Sequence, residues 1–115
     1  MYARYVQKGE AIDHMPETAV AAGDVVAVGN LIGIARLDIP AGVLGALAVV
    51  GVYDVAKAAG AVAAGTPLYW DAVNKKATAV AAGNPYLGKA TRAAGAADET
   101  VRALLNAPYT AIVAE

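Results

Sequence analysis

A chain of 115 residues, 58% of them hydrophobic, is long enough for one folded core and too short for two independent ones, so we expect a single domain, 1–115. Nine basic and ten acidic residues give a net charge of −1, without the basic excess by which nucleic-acid-binding proteins displace counterions. The chain has no Cys or Ser and one His, which excludes disulfides, thiolate metal sites and the usual catalytic triads. We therefore expect no enzymatic activity, no cofactor and no metal.

The abundance of small residues predicts the fold class. Alanine, valine and glycine number 30, 15 and 12, about half of the chain. Alanine favours helices, but the dispersed glycines seldom leave room for one, and each glycine inside a helix costs about 1 kcal/mol relative to alanine. We predict a mainly β, small barrel- or sandwich-like domain of short strands and hairpins, with little helix. The longest apolar run, 41–52, is shorter than the roughly 20 residues of a membrane-spanning helix, so we expect no membrane partner.

In chain order, the first predicted hairpin joins Val25–Val28 to Leu31–Ala35 through Gly29-Asn30, a pair that supplies the positive φ of a two-residue turn. After a turn at 38–42, the unbroken apolar stretch Ala46–Val55 predicts one strand buried on both faces. Residues 55–64 favour irregular structure, with a short helix broken at Gly60 as the alternative.

Two further hairpins are predicted in the second half. Leu68–Asp71 and Ala77–Val80 flank the polar tip 72–76, with Trp70 and Leu68 in the core and Tyr69 at a surface. Residues 86–93 and 100–105 flank a third turn. Residues 98–105 are also compatible with a helical turn or two capped by Asp98, although we favour a strand.

The sequence Ala-Val-Ala-Ala-Gly occurs three times, at 19–23, 61–65 and 79–83. We interpret it as a reused turn in which glycine takes the left-handed conformation. The unequal spacings are not those of a solenoid, and chance recurrence in an alanine-rich chain is the alternative.

The stretch Gly83–Ala90 has the glycine and lysine spacing of a phosphate-binding P-loop. However, Ala90 stands where a magnesium-binding Ser or Thr is required, and no helix is predicted to begin there. His14 alone makes no metal site, so a surface or packing role is expected. Tyr69 and Trp70 alternate along a strand and therefore do not share one stacking platform for nucleic acid or sugar.

Several segments in order resemble a family of small bacteriophage and prophage proteins, the capsid cement or decoration proteins. The segments are 5–13, 20–26, 39–42, 48–55, 64–71, the lysine-bearing tip after them, 87–88 and 100–105. The resemblance covers nearly the whole chain and depends on the order and spacing of common residues. It implies a mainly β subunit that binds the major capsid protein on the outer surface of the virion, commonly as a homotrimer, after assembly in the host cytoplasm. Residues 106–115 extend beyond many members, so no subunit contact made by the C-terminus is carried over to this chain.

The N-terminal residues 1–8 are a candidate extended arm for binding the capsid. The candidate contact residues are Tyr2, Arg4, Tyr5, Gln7 and Lys8. Tyrosine and arginine are enriched at binding hot spots, and the segment precedes the first turn at Gly9. An ordinary edge strand is the alternative. For the whole protein, a small β module that binds single-stranded nucleic acid or carbohydrate is the alternative function, and a hydrolase using paired carboxylates is the third.

Overall fold

Short runs of branched and small apolar residues between glycine turns form nine strands in the computed structural model, which describes residues 2–108. The strands are β1 (Ala11–His14), β2 (Val25–Val28), β3 (Leu31–Ala35), β4 (Gly45–Ala48), β5 (Val52–Ala56), β6 (Pro67–Asp71), β7 (Lys76–Thr78), β8 (Tyr86–Ala90) and β9 (Thr100–Leu105). The predicted mainly β fold is confirmed. Within the described residues, no helix has the length and apolarity needed to cross a membrane.

The strands form two antiparallel sheets arranged as a sandwich. The first has the order β1-β4-β3-β2 and the second β5-β9-β8-β6-β7. The second sheet curls until its edge strands approach each other at a single bridge between Lys57 and Ala77, which does not continue into a ladder. The architecture is therefore sandwich-like rather than a closed barrel.

The two sheets are copies of one topology. Without β7, the second sheet has the order β5-β9-β8-β6, in which each strand takes the place of its counterpart in β1-β4-β3-β2. In both, three successive strands pair as hairpins and the first strand lies beside the last, which is a Greek-key arrangement. We call β1–β4 repeat 1 and β5–β9 repeat 2. The strand β7 and its two turns are the insertion that distinguishes repeat 2.

Backbone hydrogen bonds recur at corresponding places in the two repeats. The amide of Gly23 donates to Ala35 at 2.6 Å, and that of Gly65 donates to Ala90 at 2.7 Å. Four residues after Ala35 and Ala90, both repeats have an isolated bridge, between Val20 and Ile39 in repeat 1 and between Val62 and Ala94 in repeat 2. The first two Ala-Val-Ala-Ala-Gly copies thus hold the same place in the two repeats.

The predicted reuse of this turn is confirmed for all three copies. The glycines at 23, 65 and 83 have φ angles of 92°, 85° and 77°. In each copy the residue after the glycine donates its amide hydrogen to the carbonyl three residues back, at 3.0, 3.2 and 3.1 Å. This is the hydrogen bond of a β-turn with a left-handed third residue. The third copy lies in the inserted segment, which explains its unequal spacing.

The main core lies between the sheets, and a smaller cluster lies on the other face of the first. Ile32 and Ile34 of β3 belong to the main core, whereas Ala35, the next residue, packs with Leu47 and Ile39 on the opposite face. The side chains of the second sheet that complete the main core include Leu68, Trp70, Leu87, Val101 and Leu105. Trp70 and Leu68 are buried, as predicted.

The predicted single strand Ala46–Val55 is wrong. The chain forms β4, breaks at Gly51 with a φ of 126°, and resumes as β5 in the other sheet. Val50 and Val52 are about half exposed, so this stretch is not buried on both faces. Glycine adopts such a positive φ without steric cost, and here it marks the boundary between the repeats.

The three hairpins are confirmed, the first with the predicted bounds; β7 and β8 are shorter than predicted. Residues 25–28 and 31–35 pair across Gly29-Asn30, and β6 pairs with β7 across the tip that ends at Lys75. β8 ends at Ala90 and pairs with β9. Residues 100–105 are therefore a strand, and residues 57–64 are irregular apart from two bridges.

Candidate interaction surfaces

The N-terminal segment 2–8 precedes β1 and belongs to no strand. Its five candidate contact residues, Tyr2, Arg4, Tyr5, Gln7 and Lys8, are all exposed. Gln7 donates a hydrogen bond from Nε2 to the carbonyl of Ala11 at 2.7 Å, and the Lys8 ammonium lies 3.8 Å from the carboxylate of Glu10. Both contacts are local, so the structure brings the five residues into one exposed segment and not into a pocket.

The larger apolar side chains of this segment have little cover. The exposed fraction is 81% for Tyr5 and 77% for Val6, and Tyr2 is fully exposed. Large aromatic side chains that remain in water gain burial free energy when a partner surface covers them. The segment therefore has the chemistry of a contact element.

An open apolar groove lies beside the point where this segment meets β1. It has a volume of about 550 Å³. Ala46 and Ala48 of β4 lie along it, with Ala11 of β1 beside them, and the connection between β3 and β4 supplies the rim. The rim includes Leu37, Ile39, Pro40, Val43 and Leu44, together with Arg36 and Asp38.

Three of the rim side chains are exposed although they are large and apolar. Leu37 is 78% exposed, Leu44 59% and Val43 48%. Their cluster on one rim differs from the scattered apolar residues that are normal on protein surfaces. From the sequence, residues 38–42 are expected only as a turn; the signal for this surface is Leu37 before the turn and Val43 and Leu44 after it.

The matching position in repeat 2 has the opposite character. There, the connection between β8 and β9 forms a polar pocket. Its charged lining residues are Asp54, Arg92, Asp98, Glu99 and Arg102. Because the same fold accepts charged residues at this place, the fold does not require the apolar residues of the groove.

A bidentate ion pair crosses the exposed face of β5 and β9. Arg102 donates from Nε to one Asp54 carboxylate oxygen at 2.9 Å and from Nη2 to the other at 3.2 Å. The hydrogen bond to Arg102 lowers the pKa of Asp54 below its ordinary value, and the positive charge of Arg92 lowers it further. The ion pair connects two neighbouring strands in register, and it leaves neither the carboxylate nor the guanidinium activated for catalysis.

The residues considered for phosphate, nucleic-acid or sugar binding have structural roles. Gly83 lies in a turn and Tyr86–Ala90 is strand β8, so the P-loop-like spacing has neither the loop nor the helix of a phosphate site. Tyr69 contacts Tyr86 edge-on, with ring centroids 5.9 Å apart, while Trp70 is buried in the core. Among residues 2–108, no three His, Asp or Glu side chains group closely enough to hold a metal ion.

The chain was also compared with known proteins. The model of one family, described as phage cement protein, matches residues 6–105. Searches of curated proteins and of solved structures gave no match. The matched range contains all nine strands of the described residues, from β1 to β9. Since it also covers most of the 115 residues, the chain belongs to the phage cement protein family, a family of structural proteins.

Proposed function

We propose that this protein is a non-enzymatic cement of a tailed bacteriophage or prophage, which binds the outer surface of the assembled capsid and stabilises it. The observation that carries the proposal is the family match over residues 6–105. Its partner is the major capsid protein, and it reaches the virion surface from the host cytoplasm during assembly. It acts without a cofactor, nucleic acid or membrane.

The surface chemistry supports a binding role. Exposed tyrosines and an arginine in the N-terminal segment are residue types that dominate binding energies at interfaces. Trp70 is buried, so it does not form the exposed aromatic platform that the alternative nucleic-acid or carbohydrate module would use. The balanced charge offers no electrostatic driving force for binding to phosphate backbones.

The proposed assembly is a homotrimer on the capsid. Three subunits that meet three symmetry-related capsid sites bind with avidity, so contacts that are modest for one subunit give stable attachment. An alanine- and valine-rich core releases little free energy per side chain, about 0.8 kcal/mol for each buried CH₂, and further burial between subunits adds to it.

Co-sedimentation with expanded, undecorated capsids tests the proposal. Protein should pellet with capsids up to a saturating ratio, and electron microscopy should show added density on the outer surface. Protein that remains in the supernatant at all concentrations, with intact capsids, would refute the proposal.

The N-terminal segment 2–8 is the proposed capsid contact within this function. Deletion of residues 2–8 should abolish or strongly weaken co-sedimentation, because it removes Tyr2, Arg4 and Tyr5 without touching a strand. The matched control is Val73→Ala, which trims an 89%-exposed side chain at the β6–β7 tip. Unchanged capsid binding by the folded deletion variant would assign the contact to another surface.

A further inference from the structure

The exposed face of β5 and β9 carries an apolar patch. Val52 and Leu104 are register partners on neighbouring strands, so their side chains lie next to each other on one face. They are 53% and 40% exposed, and Val50, two residues before Val52, is 48% exposed. We call Val52 and Leu104 the repeat 2 patch; Val50 is not counted in it, because the chain breaks at Gly51.

Two of the residues that line the groove have their counterparts in the patch. In the first sheet Ala48 pairs with Ala11, and in the second Leu104 pairs with Val52. The groove therefore has two alanines where the patch has a leucine and a valine. Beside the polar pocket of repeat 2, the patch thus carries larger apolar side chains than the groove has at the same positions.

Both the groove and the surroundings of the patch carry charged side chains of opposite sign. The groove is lined by one cation and one anion, Arg36 and Asp38. On the exposed face of β5 and β9, Arg102 and Asp54 lie beside the patch. Lys89, which is the register partner of Leu104 on β8, adds a second cation beside the patch. Charges of both signs are therefore present on both surfaces for pairing at the rim.

We infer that the groove of one subunit receives the repeat 2 patch of a second copy of this chain. The small floor of the groove accommodates the branched side chains of the patch, and contact removes Leu37, Val43 and Leu44 from water. Because groove and patch are different surfaces of one chain, the contact is head-to-tail. A head-to-tail contact closes into a ring when its rotation permits, which is how it builds the trimer of the proposed function, on which this inference rests.

Sedimentation velocity on two single variants and their mixture tests the contact. Leu44→Glu places a charge on the groove rim, and Leu104→Glu places one in the patch. Both side chains are exposed in the subunit, so both variants should fold, and near-ultraviolet circular dichroism of the buried Trp70 checks this. The matched control Val73→Glu adds the same charge at the β6–β7 tip and should assemble like the wild type.

Each variant alone should sediment as a monomer at concentrations where the wild type is a trimer. An equimolar mixture should form a dimer and nothing larger. The Leu44→Glu variant keeps an intact patch and the Leu104→Glu variant keeps an intact groove, so a single contact can form between one copy of each. Leu37→Glu provides a second groove variant. It should also fail to assemble alone, and it should form a dimer when it is mixed with Leu104→Glu.

Three outcomes would overturn the inference: a monomeric wild type, assembly that survives both groove variants, or a mixture that remains monomeric. If the groove variants still assemble but no longer co-sediment with capsids, the groove binds the capsid instead. Capsid binding by the wild type is measured in parallel. Its failure refutes the cement function whatever the oligomeric state, so the two failures remain distinct.

Discussion

The side chain of Asn106 exchanges two hydrogen bonds with the backbone of Ile32, 74 residues earlier in the chain. Its Oδ1 accepts from the Ile32 amide at 3.2 Å, and its Nδ2 donates to the Ile32 carbonyl at 2.8 Å. Nδ2 also donates to the carbonyl of Val49 at 2.8 Å. Asn106 directly follows β9, so one side chain joins the end of repeat 2 to two segments of repeat 1.

Replacement of Asn106 by alanine should lower the free energy of unfolding by about 1–3 kcal/mol, because it leaves polar backbone groups without partners at the junction of the repeats. Urea unfolding followed by tryptophan fluorescence measures the change. The matched control is Asn84→Ala, which removes an exposed hydrogen bond to Val80 within a turn and should cost less than about 0.5 kcal/mol. Equal losses in the two variants would contradict a joining role for Asn106.

Gly88 should not tolerate a side chain. A Cβ there would overlap the carbonyl oxygen of Leu104, and the φ of Gly88 is 155°. Gly88→Ala must therefore push β8 from β9, and we expect a loss of about 3 kcal/mol in unfolding free energy. The control is Gly95→Ala, whose Cβ would meet only the side chain of Asp98 at 3.6 Å and which should change stability by less than about 1 kcal/mol. Similar stabilities for the two variants would refute the close approach.

Lys57 is 4% exposed, and its ammonium donates to the carbonyls of Ala58 at 2.9 Å and Asp98 at 3.4 Å. Removing an ammonium group from water costs several kcal/mol, which two carbonyl hydrogen bonds, one of them long, offset only in part. Lys57→Met keeps the buried stem and removes the charge, so its unfolding free energy should equal or exceed that of the wild type. Lys57→Ala leaves a cavity and should lose about 2 kcal/mol. A methionine variant less stable than the alanine variant would contradict this balance.

Asp54 should contribute to stability in a pH-dependent manner. Its pKa is lowered from the ordinary value of 3.8, mainly by the hydrogen bond from Arg102. A lowered folded-state pKa gives stability that is present above pH 3.8 and is lost as the pH falls through the folded-state value. Asp54→Asn should therefore be less stable than the wild type at neutral pH, and the difference should vanish in acid.

Chemical unfolding at a series of pH values measures this effect. The control is Asp13→Asn, because Asp13 holds the matching place in repeat 1 but lies opposite Ala46 rather than an arginine. A difference between Asp54→Asn and the wild type that persists unchanged in strong acid would argue against the ion pair as its cause.

The sequence was sufficient to predict the hairpins, since the turn chemistry is local. Gly29-Asn30 and the polar residues before Lys76 identify their turns without knowledge of the rest of the fold. The strand predicted over Ala46–Val55 failed because apolarity does not reveal which sheet a segment joins. The conformation of Gly51, which separates the two sheets, depends on tertiary packing.

The repeated topology is visible in the sequence at the recurrence of Ala-Val-Ala-Ala-Gly after 42 residues. The third copy in the inserted segment obscured that period. The groove was not predictable, because leucine and valine beside a turn become a surface feature only when β1 and β4 lie side by side. The N-terminal contact residues remain a prediction, and residues 109–115 of the C-terminal extension lie outside the described part of the chain.

The most direct test of the cement function is the temperature at which expanded capsids rupture, with and without saturating protein. Dye access to packaged DNA on heating reports rupture, and bovine serum albumin at the same concentration is the control. Capsids saturated with the wild-type protein should rupture at a temperature several degrees higher than bare capsids. Saturated capsids that rupture at the same temperature as bare ones would contradict a cementing role.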